Sequence, residues 1–161
     1  MTPSPSSPGA SASQCRVAHV RDSAQFSPGT TAYIGRAMPG GMPGSPWQNP
    51  ARLGTDGSRA EVLRRYQDHL AGLLLPRDES EAERCRAGAA QAQFRLLQGK
   101  TLLCWCRPRA CHGDVIVQAL DALVQGGEAA VAISLSHPIV ITPEGLPLPA
   151  DPAAPSQGAL F

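Results

Sequence analysis

The sequence predicts a single α/β domain with a small, mostly parallel sheet, flanking helices and a disordered tail at each end. Short apolar segments of strand length alternate with longer segments of helical period, a pattern typical of parallel sheets covered by helices. The length of 161 residues suits one domain. Proline, serine, glycine and alanine dominate residues 1–14 and much of 142–161, which leaves 15–141 for the folded part.

Two strands and a long loop open the predicted domain. Residues 15–21 and 31–36 carry the apolar residues of short strands, and the second strand ends at Gly35 and Arg36. Residues 37–57 are rich in glycine and proline and show no periodicity. Loops of this length inside a compact domain are usually functional, so we predict that it covers a site.

Two helices follow, each opened by a predicted capping box. Residues 58–61 and 80–83 both have the S-x-x-E spacing that satisfies free amides at a helix start. The first helix should end before Pro76 and the second at Gly99. The expected apolar face of the second helix consists of small and aliphatic residues, namely Ala82, Cys85, Ala89, Ala92 and Leu96.

The rest of the domain is predicted as strand, helix and further short strands. Residues 101–106 form a buried strand, and 112–125 form an amphipathic helix that ends at the glycine pair 126–127. Residues 131–135 and 138–141 have the composition of one or two more strands. The expected order is therefore β-β-α-α-β-α-β.

Composition excludes some classes of function. The net charge is +1 and the isoelectric point is near 7.7, which argues against binding nucleic acid through bulk charge. The sequence has no uninterrupted run of roughly 18 apolar residues and no secretory signal, so no membrane partner is expected. We therefore expect a cytoplasmic protein whose cysteines are thiols or ligands rather than disulfides.

The densest chemistry lies where the third strand meets the third helix. Cys104 and Cys106 end the strand, and Cys111 and His112 begin the helix. In open α/β sheets, ligands bind at such carboxyl ends of strands. Strand alternation places Cys104 and Cys106 on one face and Trp105 on the other, in the core.

A reactive thiolate is one hypothesis for this corner. Cys111 lies at a helix N-terminus with Arg107 and Arg109 nearby, and all three features lower a thiol pKa. His112 or Asp114 would then transfer a proton, which makes Cys111, His112 and Asp114 the candidate catalytic group.

Two other hypotheses remain open from the residues alone. Cys104, Cys106, Cys111 and His112 form a Cys₃His set that zinc accepts, although their spacing differs from the usual paired C-x₂-C motif. Alternatively, the thiols only fill space at the strand end and His112 only caps the helix.

Four segments of the chain together carry a family resemblance. Residues 33–36 (Y-I-G-R), 45–50 (S-P-W-Q-N-P), 59–66 and 102–115 resemble the DUF4326 family of domains of unknown function. The family pattern is Y-[IV]-G-R, W-G-N-P, a tyrosine, and C-W-C-x-P-x-x-C-H-G-D-V. Gln48 departs from this pattern at the glycine of W-G-N-P. The resemblance implies a bacterial or phage protein whose activity is not established.

The segments that the resemblance groups together suggest a pocket for an anion or a nucleotide. Arg36 would hold a phosphate, Asn49 would read a polar edge, and the amides around Gly113 would form an anion nest, with Gly35 and Arg107 beside them. The loop 37–57 would act as a lid. The structural alternative is that Gly35 and Asn49 set turns and Arg36 pairs with an acidic residue such as Asp114 or Glu61.

The C-terminal residues carry one further motif. Gln157, Leu160 and Phe161 form the pattern Q-x-x-L-F behind a proline-rich tether, which is similar to peptides that dock on bacterial sliding clamps. Such a tether would bring a nearly neutral protein to DNA. The alternative is an accidental match of composition.

Together these observations favour a protein that acts on a nucleotide or a nucleic acid through its Cys/His corner. Whether it is an enzyme stays open at this point. The alternative is a non-enzymatic module, either a zinc-stabilised or plain adaptor or a nucleotide-binding domain without turnover.

Overall fold

A computed structural model describes residues 13–142 and Gly145. Its sheet has three strands, all parallel, with β3 in the centre, in the order β1-β3-β2. The predicted α/β class with a small parallel sheet is confirmed. The strands are β1 (Arg16–His19), β2 (Thr31–Tyr33) and β3 (Thr101–Cys104), and a 3₁₀ helix at Val20–Gln25 follows β1.

The α-helices are α1 (Arg59–Leu74), α2 (Glu81–Arg95) and α3 (His112–Ser136). Among the described elements, α3 packs on β1 and β3, α1 packs on α3, and α2 packs on α1. The capping box predicted at Ser58 is present in full. At Ser80 only half of it forms: the Ser80 hydroxyl accepts from the Glu83 amide, while the Glu83 carboxylate accepts from the Arg77 amide instead. Both helices therefore start where the sequence predicts.

The buried face of α2 differs from the predicted one. Cys85 is exposed and Leu96 is 70% exposed, whereas Ala87 and Phe94 are buried. Alanines occur on several sides of α2, so small residues do not define its face. The rotation of α2 is set instead by Phe94, whose ring packs edge-on against Trp47 with centroids 5.0 Å apart.

The strand predicted at 131–135 is wrong, because α3 continues through it. Gly127, with φ 66° and ψ −151°, is not helical, so α3 consists of two helical segments with a kink between them, and the first segment ends at the predicted glycine pair. Val131 and Leu135 are both buried, and their spacing of four residues is helical. The described part of the sheet also has no strand at 138–141.

The long helix α3 meets the length and composition of a membrane span, the one helix among the described residues that does. A central core helix passes the same test, and five residues of α3 are completely buried against the rest of the domain: Val115, Ile116, Ala119, Leu120 and Val131. The cytoplasmic location and the lack of a membrane partner stay predictions.

The predicted tails fall mostly on residues that the structure does not describe. Ser13 is buried, and its amide donates a hydrogen bond to the Asp121 carboxylate at 2.7 Å. The peptide 157–161 lies outside the described residues, so its role as a docking motif stays a prediction.

Candidate functional site

A cavity of about 290 Å³ opens at the carboxyl ends of β2 and β3. The long loop 37–57 and the first turns of α1 form its other walls. The Cys/His corner lies at the bottom of this cavity, at the sheet edge where ligands of open α/β domains bind.

Three side chains of the corner converge. Cys104 comes from the last residue of β3, and Cys111 and His112 come from the start of α3. Their sulfur and nitrogen atoms all lie within 4.8 Å of one another, and all three residues are buried. The Cys104 Sγ and His112 Nδ1 atoms are 4.0 Å apart. This arrangement of donor atoms is able to hold a metal ion.

The His112 ring is held in one orientation. Its Nε2 lies 2.8 Å from the main-chain oxygen of Ile34, just beyond β2. A carbonyl oxygen only accepts, so the proton is on Nε2, and Nδ1 turns a lone pair towards the sulfurs. Burial lowers the pKa of His112, which favours the neutral imidazole that a metal ligand requires. The Tyr66 ring packs edge-on at 5.1 Å and limits ring movement.

Cys111 is the N-cap residue of α3. Its sulfur accepts the Gly113 amide at 3.2 Å, and its own amide donates to the Asp114 carboxylate at 2.8 Å. The Asp114 amide donates to the Cys111 carbonyl at 3.0 Å. The amides of Gly113 and Asp114, which the sequence assigns to an anion nest, therefore make hydrogen bonds within the cap.

The thiols differ in their environments. Hydrogen bonding with Cys106 acts to lower the pKa of Cys104. Hydrogen bonding with Cys111 and burial together act more strongly in the opposite direction, and the net effect raises this pKa to about 12. Cys104 without a metal is therefore a neutral thiol at physiological pH. Cys111 is only 2% exposed, so a substrate would have to enter the cavity deeply to reach its sulfur. The catalytic role of Cys111, His112 and Asp114 stays a prediction.

Trp105 and Cys106 do not continue the strand pattern. Because β3 ends at Cys104, the chain turns there and alternation no longer applies. Trp105 is 43% exposed and lines the cavity, so its predicted place in the core is wrong. Its indole N–H donates to the Tyr33 hydroxyl at 3.1 Å. Cys106 is exposed and falls outside the convergent group, which therefore has three members rather than the four of the Cys₃His hypothesis.

Arg107 and Asp114 form an ion pair. The Arg107 Nη2 and Asp114 Oδ1 atoms are 2.6 Å apart, and Arg107 Nε donates to the Val17 carbonyl at 3.3 Å. Neither residue is part of the cavity lining. In this position the pair connects the cap of α3 to β1.

Arg36 and Asn49 line the cavity but bind mainly to the protein. Arg36 Nε and Nη2 both donate to the Asn49 carbonyl, and Nη2 also donates to the Ala51 carbonyl at 2.6 Å. Nη1 is the one guanidinium nitrogen of Arg36 that makes no hydrogen bond to the described residues. The Asn49 amide oxygen accepts from the Ala51 amide at 2.9 Å. The ion pairs proposed for Arg36 in the structural alternative are not formed.

Gly35 and the loop 37–57 have structural roles that the sequence only partly indicates. A Cβ at Gly35 would overlap the ring and hydroxyl of Tyr33. Within the loop, Trp47 is 7% exposed, and its carbonyl accepts the Tyr66 hydroxyl at 2.7 Å. The middle of the loop is therefore part of the core and is not a free lid.

Two arginines of the site were missed in the sequence. Arg52 belongs to the loop, and Arg59 is the first residue of α1, where its Nη1 donates to the Ala110 carbonyl at 2.7 Å. With Arg36 they give the described lining three guanidinium groups and no carboxylate. The capping serine at 58 was a usable signal, because it starts α1 beside the site.

The comparison with protein families matches this architecture to a known domain. The family model of the domain of unknown function DUF4326 matches residues 17–122. The chain belongs to this family. The DUF4326 match extends from β1 into α3 and includes the loop, both ends of the central strand and the three convergent side chains. No curated protein and no solved structure matches the chain.

Proposed function

We propose that this DUF4326 protein is a zinc-dependent enzyme that acts on a nucleotide-sized anion. The observation that carries the proposal is the convergence of Cys104, Cys111 and His112 at the bottom of a cavity whose charged lining consists of arginines. Zinc sites with three protein ligands and one open side are typical of catalytic centres, whereas structural sites have four protein ligands.

The donor set fits zinc in three ways. Zinc is commonly bound by thiolates and imidazole, whereas ions such as magnesium prefer carboxylates and other oxygen ligands. The hydrogen bond from His112 Nε2 to the Ile34 carbonyl is the outer contact that metal-binding histidines usually make. The Gly113 amide points at the Cys111 sulfur and would stabilise its negative charge.

The residues around the corner would position the substrate. A bound zinc ion would supply Lewis-acid polarisation of a substrate oxygen. Arg52 and Arg59 offer guanidinium groups for a phosphate, and the half-exposed Trp105 indole offers a surface for a flat ring. The volume of about 290 Å³ is near the lower end for ligand pockets, which favours a single nucleotide over a longer strand.

Metal content tests whether the protein binds zinc. Protein purified under reducing conditions without chelator should contain stoichiometric zinc by inductively coupled plasma mass spectrometry. C104S and C111S should lose it, because each removes one thiolate. C85S is the matched control, since Cys85 is an exposed cysteine of α2 outside the cavity. A wild-type protein that neither contains zinc nor binds added zinc contradicts the proposal.

Calorimetric titration tests whether the cavity binds a nucleotide-sized anion. Zinc-loaded protein should bind adenosine monophosphate more tightly than adenosine or inorganic phosphate, because only the nucleotide engages both arginine and indole. R52A should weaken nucleotide binding by roughly tenfold, the value of a charge-assisted hydrogen bond. R84A on α2 is the control outside the cavity and should bind normally. Equal affinities in wild type and R52A would refute the assignment.

We further propose recruitment to a sliding clamp through Gln157, Leu160 and Phe161. This proposal is supported by the Q-x-x-L-F sequence pattern alone. Deletion of residues 157–161 should abolish capture by an immobilised bacterial clamp while zinc content is unchanged. Equal capture of the full chain and the deletion variant would exclude it.

A further inference from the structure

Cys106 differs from the three convergent ligands in how it is held. Cys104 is in the central strand, and Cys111 and His112 are fixed by the cap of α3 and by the Ile34 carbonyl. Cys106 lies two residues beyond β3, in a turn closed by the Arg109 amide, which donates to its carbonyl at 3.0 Å. Its side chain is exposed, whereas the other three are buried.

The Cys106 thiol is also next to the group. It follows Cys104 by two residues and lines the same cavity. Arg59 lines this cavity as well. Cys106 therefore shares the cavity with a member of the ligand set and with a positive charge, and it is more exposed than the three ligands.

We propose that Cys106 is an exchangeable fourth zinc ligand that a substrate anion displaces. The inference rests on the zinc site proposed above. Without substrate, the Cys106 thiolate binds the ion and closes the site. When an anion enters, one sulfur–zinc bond breaks and one oxygen–zinc bond forms, and the released thiolate pairs with Arg59. No electron or proton is transferred in this exchange.

Such an exchange would explain why one cysteine of the corner is exposed. Three of the candidate ligands are buried and held in place, whereas Cys106 is exposed, so the fourth ligand is the one that solvent and solutes reach. A purely three-ligand site would leave an idle thiol beside a metal. While no substrate is bound, an exchangeable fourth ligand keeps unrelated donors off the zinc ion. Binding of the substrate anion then opens the fourth coordination position.

Cobalt substitution tests the exchange, because thiolate-to-cobalt charge transfer counts bound sulfurs. Wild type and the control C85S loaded with Co²⁺ alone should show the intensity of three thiolates, and C106S that of two. Adding inorganic phosphate or adenosine monophosphate should lower the wild-type signal to the C106S level and leave C106S unchanged. Alkylation of Cys106 by iodoacetamide should accelerate under the same conditions.

The outcomes separate the two proposals. Identical spectra of wild type and C106S, with cobalt bound, would overturn the role of Cys106 and leave the three-ligand site intact. A three-thiolate spectrum that neither anion changes would overturn the exchange and indicate a closed structural site. Failure of wild type to bind cobalt at all would overturn the metal site itself.

Discussion

The Nε2 atom of His112 lies 2.8 Å from the carbonyl oxygen of Ile34. This hydrogen bond joins the first residue of α3 to the end of β2 and decides which ring nitrogen faces the sulfurs. Because the acceptor is a main-chain atom 78 residues away, no side-chain pattern in the sequence reveals it. The site is therefore set by the packing of β2 against the start of α3 as much as by its cysteines.

Replacing His112 with glutamine should separate the hydrogen bond to the Ile34 carbonyl from metal binding by Nδ1. The amide nitrogen of H112Q is placed to donate to the Ile34 carbonyl, but nothing replaces Nδ1 as a ligand. We expect loss of bound zinc with nearly unchanged secondary structure by circular dichroism. H69Q, at the exposed histidine of α1, should keep its zinc. Retention of zinc by H112Q with unchanged affinity would exclude His112 as a ligand.

Asp114 should act as a structural residue. It accepts the Cys111 amide and pairs with Arg107 at the rear of the corner. D114N should lower the free energy of unfolding by about 1–2 kcal/mol through loss of the cap and the ion pair. Zinc content should not change.

The matched control for Asp114 is D68N in the exposed Arg64–Asp68 pair, whose side chains are 45% and 63% exposed. Exposed pairs contribute little, so this variant should stay within about 0.5 kcal/mol of wild type in urea unfolding. Wild-type stability of D114N combined with lost turnover would instead support the catalytic role that the sequence suggested.

The sequence predicted most of the elements because their signals are local. Capping serines, Pro76 and Gly99 mark helix boundaries within a few residues, and the apolar segment at 101–104 is long enough for a strand. The predicted strand at 131–135 failed for a local reason as well. Gly126 and Gly127 do end a helical segment, as predicted, but the residues beyond them form a second helical segment, in which Val131 and Leu135 are buried.

The composition of the site was harder to predict than its position. The carboxyl ends of parallel strands lie together by topology, so the corner was found. Trp105 was misplaced because β3 stops one residue earlier, at Cys104. Arg36 and Asn49 were assigned to a ligand because their partners are backbone carbonyls and amides, which carry no signature in the sequence.

Gly113 is required for the approach of α3 to the sheet. A Cβ there would lie 2.9 Å from Val17 Cγ1 and 3.0 Å from Ile34 Cδ1. G113A should therefore destabilise the protein by about 1–3 kcal/mol, although alanine is the better helix former. The control G88A has no atom within 4 Å of the added Cβ and should stabilise the protein by about 0.5–1 kcal/mol. Equal midpoints for the two variants in urea unfolding would contradict this account.

The Tyr66 hydroxyl should hold the long loop in place. It is buried and donates to the Trp47 carbonyl at 2.7 Å, and burial raises the pKa of Tyr66 so that the phenol stays protonated. Y66F leaves that carbonyl without its partner, at a cost of about 1 kcal/mol. Hydrogen exchange should become faster at residues 45–51. Unchanged exchange there would show that other loop contacts suffice.

The capping box of α1 should give the protein a defined acid sensitivity. Hydrogen bonds from the Ser58 amide and hydroxyl lower the pKa of Glu61 below its ordinary value of 4.5. The unfolded state then binds more protons near that pH, so this contribution to stability is complete above pH 4.5 and is lost as the pH falls through the folded-state pKa. E61Q removes the titrating group, so wild type should be more stable than E61Q at neutral pH, and the difference should disappear in acid.

Asp78 and Glu83 also have lowered pKa values, but they titrate equally in wild type and E61Q. Their effects therefore cancel when the urea midpoints of the two proteins are compared. A difference between wild type and E61Q that is constant from neutral to acid pH would mean that Glu61 stabilises α1 by packing or shape and not through its charge.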